Sequence, residues 1–141
     1  KDIKKIISEK KKYFDEVING YTTVEKHENV NNINIPKVIF TNDKQLLYIS
    51  RKSLPGFKDI KNKPKLYFKQ VCIYAFNRKE LLMYGKVKKK GLLERAEDIE
   101  IIRFMELNKK IRMIKTSLGS LAVDEPRDIK KVEAALQKTL V

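Results

Sequence analysis

Ile3, Ile6, Ile7 and Phe14 recur at helical spacing with lysines between them, which predicts an amphipathic helix capped by Asp2 and ended before Gly20. Residues 21–34 are polar and rich in asparagine, and read as a loop whose one extended candidate is residues 21–24. Beyond Pro36, the run Lys37-Val38-Ile39-Phe40-Thr41 and the run Leu46-Leu47-Tyr48-Ile49-Ser50 flank Asn42-Asp43-Lys44, a turn-prone spacer that predicts a hairpin. A loop over residues 53–64, containing Pro55-Gly56, leads into residues 66–76, the most apolar strand-like segment and the expected central strand.

A short helix is expected over residues 78–84. A basic connector, residues 86–90, then ends at Gly91. Leu92, Ala96, Ile99, Ile102 and Met105 follow at steps of three or four, the signature of one amphipathic helix. Its acids Glu94, Glu97, Asp98 and Glu100 come early and Arg103 late, in agreement with the helix dipole. Residues 111–116 alternate as a half-buried strand does, and a last amphipathic helix is expected from Pro126 to about residue 140. Helices interleaved with strands describe a mixed α/β domain, with no internal repeat.

The chain has 141 residues and 42% apolar content, enough for one packed core without disulfides, and its single cysteine, Cys72, has no internal partner. No apolar run is long enough to span a bilayer, and no signal peptide is visible, so a soluble cytoplasmic protein with no membrane role is the expectation. The first residue is Lys1 rather than Met, which points to a piece of a longer protein. The net charge of +14 would attract polyanions. Most of that surplus is lysine in company with abundant Ile and Asn, a bias that low-G+C coding produces unaided. No exposed aromatics alternate with the lysines and no nucleic-acid-binding signature is present, so nucleic acid is not the expected partner.

Three ordered segments carry a family resemblance: Leu47-Tyr48-Ile49-Ser50-Arg51-Lys52-Ser53-Leu54-Pro55, Tyr67 to Arg78 with its core Lys69-Gln70-Val71-Cys72-Ile73-Tyr74-Ala75-Phe76, and Leu93 to Arg103 closing at Val123-Asp124-Glu125-Pro126-Arg127-Asp128. Together they resemble the C-terminal half of 3-deoxy-manno-octulosonate cytidylyltransferases, the CMP-Kdo synthetases. The resemblance implies the C-terminal part of a Rossmann-like nucleotidyltransferase fold, an α/β arrangement with a mixed β-sheet and flanking helices. It also implies that the anomeric hydroxyl of a 3-deoxy-2-keto sugar acid attacks the α-phosphate of CTP with Mg2+ present and pyrophosphate leaving, and that the protein is a homodimer.

By the same resemblance, Asp124 is a magnesium ligand, and Arg51, Gln70, Tyr74 and Glu100 face the sugar or a phosphate. Each has a plainer reading. Asp124 can be a helix cap before Pro126, Glu100 one more solvated acid and Tyr74 a packing residue. His27, the only histidine, reads as a surface residue.

The departures are as informative. The family's strand carries His where this chain has Gln70, and Gly where it has Cys72. Its helix carries Glu-Gln where this chain has Glu100-Ile101, and Ser120-Leu121-Ala122 replaces a Gly-flanked turn. These changes allow a related sugar acid, such as an amino-Kdo or a nonulosonic acid. No counterpart of the family's Pro-Ala-Arg and Leu-Pro-Gly-Lys nucleotide loops is present, nor of its second metal-binding Asp. Leu54-Pro55-Gly56 shares letters with one of them but falls after the Ser50-Arg51 match. The expectation is that this polypeptide alone does not turn over CTP. The competing readings are a non-catalytic basic α/β module that binds a partner or nucleic acid, and a nucleotidyltransferase that uses another base.

Overall fold

The chain runs α1 (Asp2–Lys12), β1 (Val17–Thr23), β2 (Lys37–Phe40), β3 (Leu46–Ser50), β4 (Phe68–Ala75), α2 (Arg78–Lys86), α3 (Leu92–Glu97), α4 (Ile102–Glu106), β5 (Ile111–Lys115) and α5 (Pro126–Thr139). This is a computed structural model, and it describes residues 1–117, 123 and 126–139. The five strands form one mixed sheet in the order β3-β2-β4-β1-β5. β1 runs antiparallel to β4 and parallel to β5, while β2 is antiparallel to both β3 and β4.

The hairpin of β2 and β3 and the interior position of β4 agree with the hydrophobic pattern. β1 corrects it, because a buried seven-residue strand stands where the pattern suggested only residues 21–24. Asn19 and Gly20 interrupt the apolar run, yet both suit the place. Asn19 is fully buried and hydrogen-bonded, and Gly20 lies where an added Cβ would come within 3.0 Å of the Thr116 methyl and 3.2 Å of Ile73 Cγ2. The sheet also curls, so that Met113 N donates to Lys44 O at 2.8 Å and the hairpin turn meets β5 from outside.

Asp2 lies inside α1 instead of capping it, and accepts from Ser117 N at 3.1 Å and Ser117 Oγ at 3.0 Å, which ties the helix start to the end of β5. Only Ile6 of the expected apolar face is buried, against Ile18 and Ile114. Lys10 is buried too, and donates to both oxygens of Glu80 at 2.9 and 2.7 Å. Glu80 completes a capping box with Asn77 at the start of α2, so one carboxylate joins the end of α1 to the start of α2.

The single helix expected from Leu92 to Met105 is two short ones. Asp98 takes a left-handed conformation (φ 50°), which ends α3, and α4 begins at Ile102. Leu92 is exposed, whereas Glu94 is fully buried and grips Arg103 through two hydrogen bonds of 2.6 and 2.7 Å. That pair folds α3 against α4 and delivers Ile99, Ile101, Ile102 and Phe104 to the main core, where they meet Val17, Tyr21, Val38, Ile49, Ile111 and Met113. Burying side chains of this size contributes roughly 1.5–3 kcal/mol each, enough to override a regular helical period.

Candidate functional site

β4 brings Gln70 and Tyr74 together. Their side chains are four residues apart and point to the same side of the strand, and Gln70 Nε2 donates to Tyr74 Oη at 3.1 Å. Gln70 Nε2 also donates to Asn19 Oδ1 at 3.2 Å. Asn19 Nδ2 in turn donates to Val71 O and Ile73 O at 3.0 and 3.1 Å. Those carbonyls flank a bulge, since the β1–β4 register passes from Asn19 opposite Tyr74 to Gly20 opposite Val71.

Burial first, then the neighbouring Cys72 and the charge of Glu100, hold the Tyr74 phenol far above its ordinary range. It is therefore protonated at neutral pH and able to donate. The Tyr74 ring stacks on Phe76 with centroids 5.9 Å apart, and Phe76 stacks on Phe104 at 5.3 Å, so the hydroxyl stands on a fixed aromatic column. Glu100 is exposed in the segment between α3 and α4, and its charge reaches Tyr74. Of the expected residues, Gln70 and Tyr74 are in direct contact, while Glu100 is related to Tyr74 through its charge alone, which also reaches Tyr84 and Arg103.

Arg51 is engaged differently. Its Nε donates to Glu97 O at 2.6 Å, Nη1 to Ile33 O at 3.0 Å and Nη2 to Asp98 O at 3.1 Å. Three of the five guanidinium N–H groups are thereby committed to main-chain carbonyls, leaving two for a ligand. Glu97 completes the junction, accepting from Ser50 Oγ at 2.6 Å and Arg51 N at 2.8 Å. Arg51 therefore anchors the end of β3 to the segment that carries Glu100. Asp124 lies outside the described residues, and among those residues no three His, Cys, Asp or Glu side chains gather as a metal site.

The sequence pattern did not reveal Asn19, Glu94 or Glu97. A polar residue inside the apolar run Val17-Ile18-Asn19 was the available signal for the first. The other two look like ordinary acids on a solvated helix face until the break at Asp98 turns them inward. A surface groove of about 640 Å3 beside α2, lined by Phe14, Asn77, Arg78, Lys79, Leu82, Met83 and Lys86, shares no residue with this network. No described helix is long and apolar enough to cross a membrane.

No family model matches the sequence. A 3-deoxy-manno-octulosonate cytidylyltransferase of Christiangramia forsetii is 36% identical over 115 residues, covering 82% of this chain and 46% of the relative. An 8-amino-3,8-dideoxy-manno-octulosonate cytidylyltransferase of Shewanella oneidensis is 33% identical over 117 residues, 83% of this chain and 46% of the relative. The structure of a CMP:2-keto-3-deoxy-manno-octonic acid synthetase complexed with CTP superposes with a TM-score of 0.85 at 24% identity, covering 98% of this chain and 56% of that one. The fold is accordingly that of an α/β nucleotidyltransferase, and the chain spans about half the length of the curated relatives it matches.

Proposed function

The chain belongs by homology to the 3-deoxy-manno-octulosonate cytidylyltransferase family, matching about half of a member's length, and from that premise we propose that it forms the sugar-acid side of a cytidylyltransferase. The reaction of the complete enzyme joins CTP to a 3-deoxy-2-keto sugar acid. The anomeric hydroxyl attacks the α-phosphate, an oxygen–phosphorus bond forms, and pyrophosphate leaves. Chemistry of this kind depends on positioning and on neutralising anions more than on a covalent intermediate with the protein.

The observation that carries the proposal is the Gln70–Tyr74 hydrogen bond on β4, within the stretch matched by the relatives, with the charge of Glu100 felt at Tyr74. Gln70 and Tyr74 would hold sugar hydroxyls, and Glu100 would orient them or favour a cationic substituent. The two remaining N–H groups of Arg51 would meet a carboxylate or phosphate. Magnesium belongs to the same reading, with Asp124 as one carboxylate ligand, in keeping with that ion's use of one or two carboxylates together with substrate phosphates. When bound, it would neutralise charge on the phosphates. The relatives include enzymes named for Kdo and for its 8-amino counterpart, so either sugar acid suits the class. A homodimer in the cytoplasm completes the proposal, with the region from Val38 to Phe68 as its contact.

The test uses this 141-residue chain with CTP, Mg2+ and each of the two sugar acids. Sugar binding in a calorimeter with no release of pyrophosphate is the expected result. Clear formation of CMP-sugar would show that this chain carries the nucleotide side as well, and failure of both sugars to bind would remove the sugar-side assignment.

A further inference from the structure

The bulge in β4 dictates more than the shape of the strand. Cys72 and Ile73 fall outside the regular pairing with β1, and the carbonyls of Val71 and Ile73, which can only accept, turn toward Asn19. Asn19 has no exposure to solvent, and its amide nitrogen answers both carbonyls. The opposite rotamer would set its oxygen against two other oxygens and leave buried acceptors without donors, a costly arrangement. The orientation of the Asn19 amide is thus set by the main chain.

That orientation propagates. With Oδ1 of Asn19 facing Gln70, the Gln70 amide must turn its nitrogen inward, where one proton goes to Asn19 Oδ1 at 3.2 Å and the other to Tyr74 Oη at 3.1 Å. Both donors are then used. Gln70 is largely buried, at 8% exposure; its Oε1 takes no hydrogen bond from the described residues and is not among their sealed atoms lacking a partner, so it keeps a narrow contact with solvent. The Tyr74 oxygen accepts from Gln70 and must direct its own proton elsewhere, and the exposed Cys72 thiol is a weak hydrogen-bonding neighbour there that a sugar hydroxyl would replace.

Building on the sugar-side reading above, we infer that Asn19 is a positioning residue that makes Gln70 present an acceptor and Tyr74 a donor, the complementary pair for one sugar hydroxyl. Such a hydroxyl donates to Gln70 Oε1 and accepts from Tyr74 Oη. A substrate whose group at that point only accepts, such as a ketone or ether oxygen, leaves Gln70 Oε1 desolvated without a donor and is disfavoured.

The experiment follows the Gln70 side-chain amide by NMR in the 15N-labelled chain, with the exposed Gln137 as reference. Both Gln70 protons should exchange more slowly than those of Gln137. Tyr74→Phe should accelerate one of them by roughly fivefold to tenfold, the loss of one ordinary hydrogen bond, and leave the other unchanged. Asn19→Ala should accelerate the other. Tyr74→Phe reads the same network if Asn19→Ala fails to fold. Gln70 protons that exchange like those of Gln137, or that ignore Tyr74→Phe, overturn the inference. Titration of the same sample with 3-deoxy-manno-octulosonate should shift the Gln70 amide. A saturating sugar that leaves it unmoved overturns the sugar-side reading, while the exchange pattern still decides for or against Asn19.

Discussion

Lys37 is sealed inside the sheet with no exposure, its nitrogen donating to Asn32 O at 2.9 Å and Arg51 O at 2.5 Å. Two carbonyls match the two protons of a neutral amine, and burial pushes the ammonium down to about 8, with the Glu97 carboxylate opposing and Arg51 reinforcing the shift. The folded-state value lies below the ordinary 10.5, so between these limits the unfolded chain binds more protons than the folded one. The contribution of Lys37 to stability therefore rises with pH across that window and is at its least favourable below it. Urea unfolding of the parent and of Lys37→Met should show the parent gaining on the variant from about pH 8 to about pH 10.5, and a constant gap would contradict this account.

The Glu94–Arg103 pair is the second residue-scale case. Glu94 is wholly enclosed, and Arg103 also lies over the Tyr84 ring with its guanidinium carbon 4.0 Å from the centroid. Removing one partner strands the other charge, so Glu94→Gln should destabilise the fold by about 3 kcal/mol. Adding Arg103→Met should recover part of the loss, which makes a double-mutant cycle in urea the proper measurement.

Elements pack here through a few close approaches. Gly20→Ala places a methyl 3.0 Å from Thr116 Cγ2, across the joint between β1 and the end of β5, and should cost about 1–3 kcal/mol. Thr116→Ser removes that methyl but keeps the hydroxyl that donates to Tyr21 O at 3.1 Å. The double variant should therefore melt above Gly20→Ala alone, and failure to do so would place the strain elsewhere. The same elements show what could be seen in advance. The hairpin and β4 were legible because alternation and a turn-prone spacer are local signals, and the capping residues of α2 sit three apart in the chain. β1 was legible only in part, because Asn19 and Gly20 make sense against β4 and β5, some 50 and 95 residues away, and a local window contains neither. The division of α3 from α4 was hidden for the same reason, as Leu92 and Ala96 keep the period while the buried partner of Arg103 is a glutamate. At the candidate site, Gln70, Tyr74 and Glu100 were reached through family motifs, whereas the amide that orients Gln70 comes from a strand those motifs do not include.

Across the whole molecule, the surplus of positive charge is spread over many lysines that have no interleaved aromatic platform. The expected behaviour toward nucleic acid is weak, sequence-independent adsorption that disappears by about 0.2 M salt. Fluorescence anisotropy with unrelated DNA duplexes checks this, and tight binding that survives such salt, or that prefers one sequence, would favour a nucleic-acid module over the sugar-side reading. The curl of the sheet has its own consequence at this scale, because the hairpin turn donates no strand to β5 yet occupies part of its outer edge through Lys44 O and the Gln45–Arg112 bridge. An edge covered in this way offers less of a template for another chain.

The position of β1 between β4 and β5 also bears on time. As the chain emerges during synthesis, residues 17–23 precede both strands that will flank them, the nearer by some 50 residues and the farther by more than 90. The β2–β3 hairpin can close at once, but the middle of the sheet cannot. Non-local pairing of this kind raises contact order and slows folding, so the interval before β5 appears is when the apolar face of β1 is most open to misassociation.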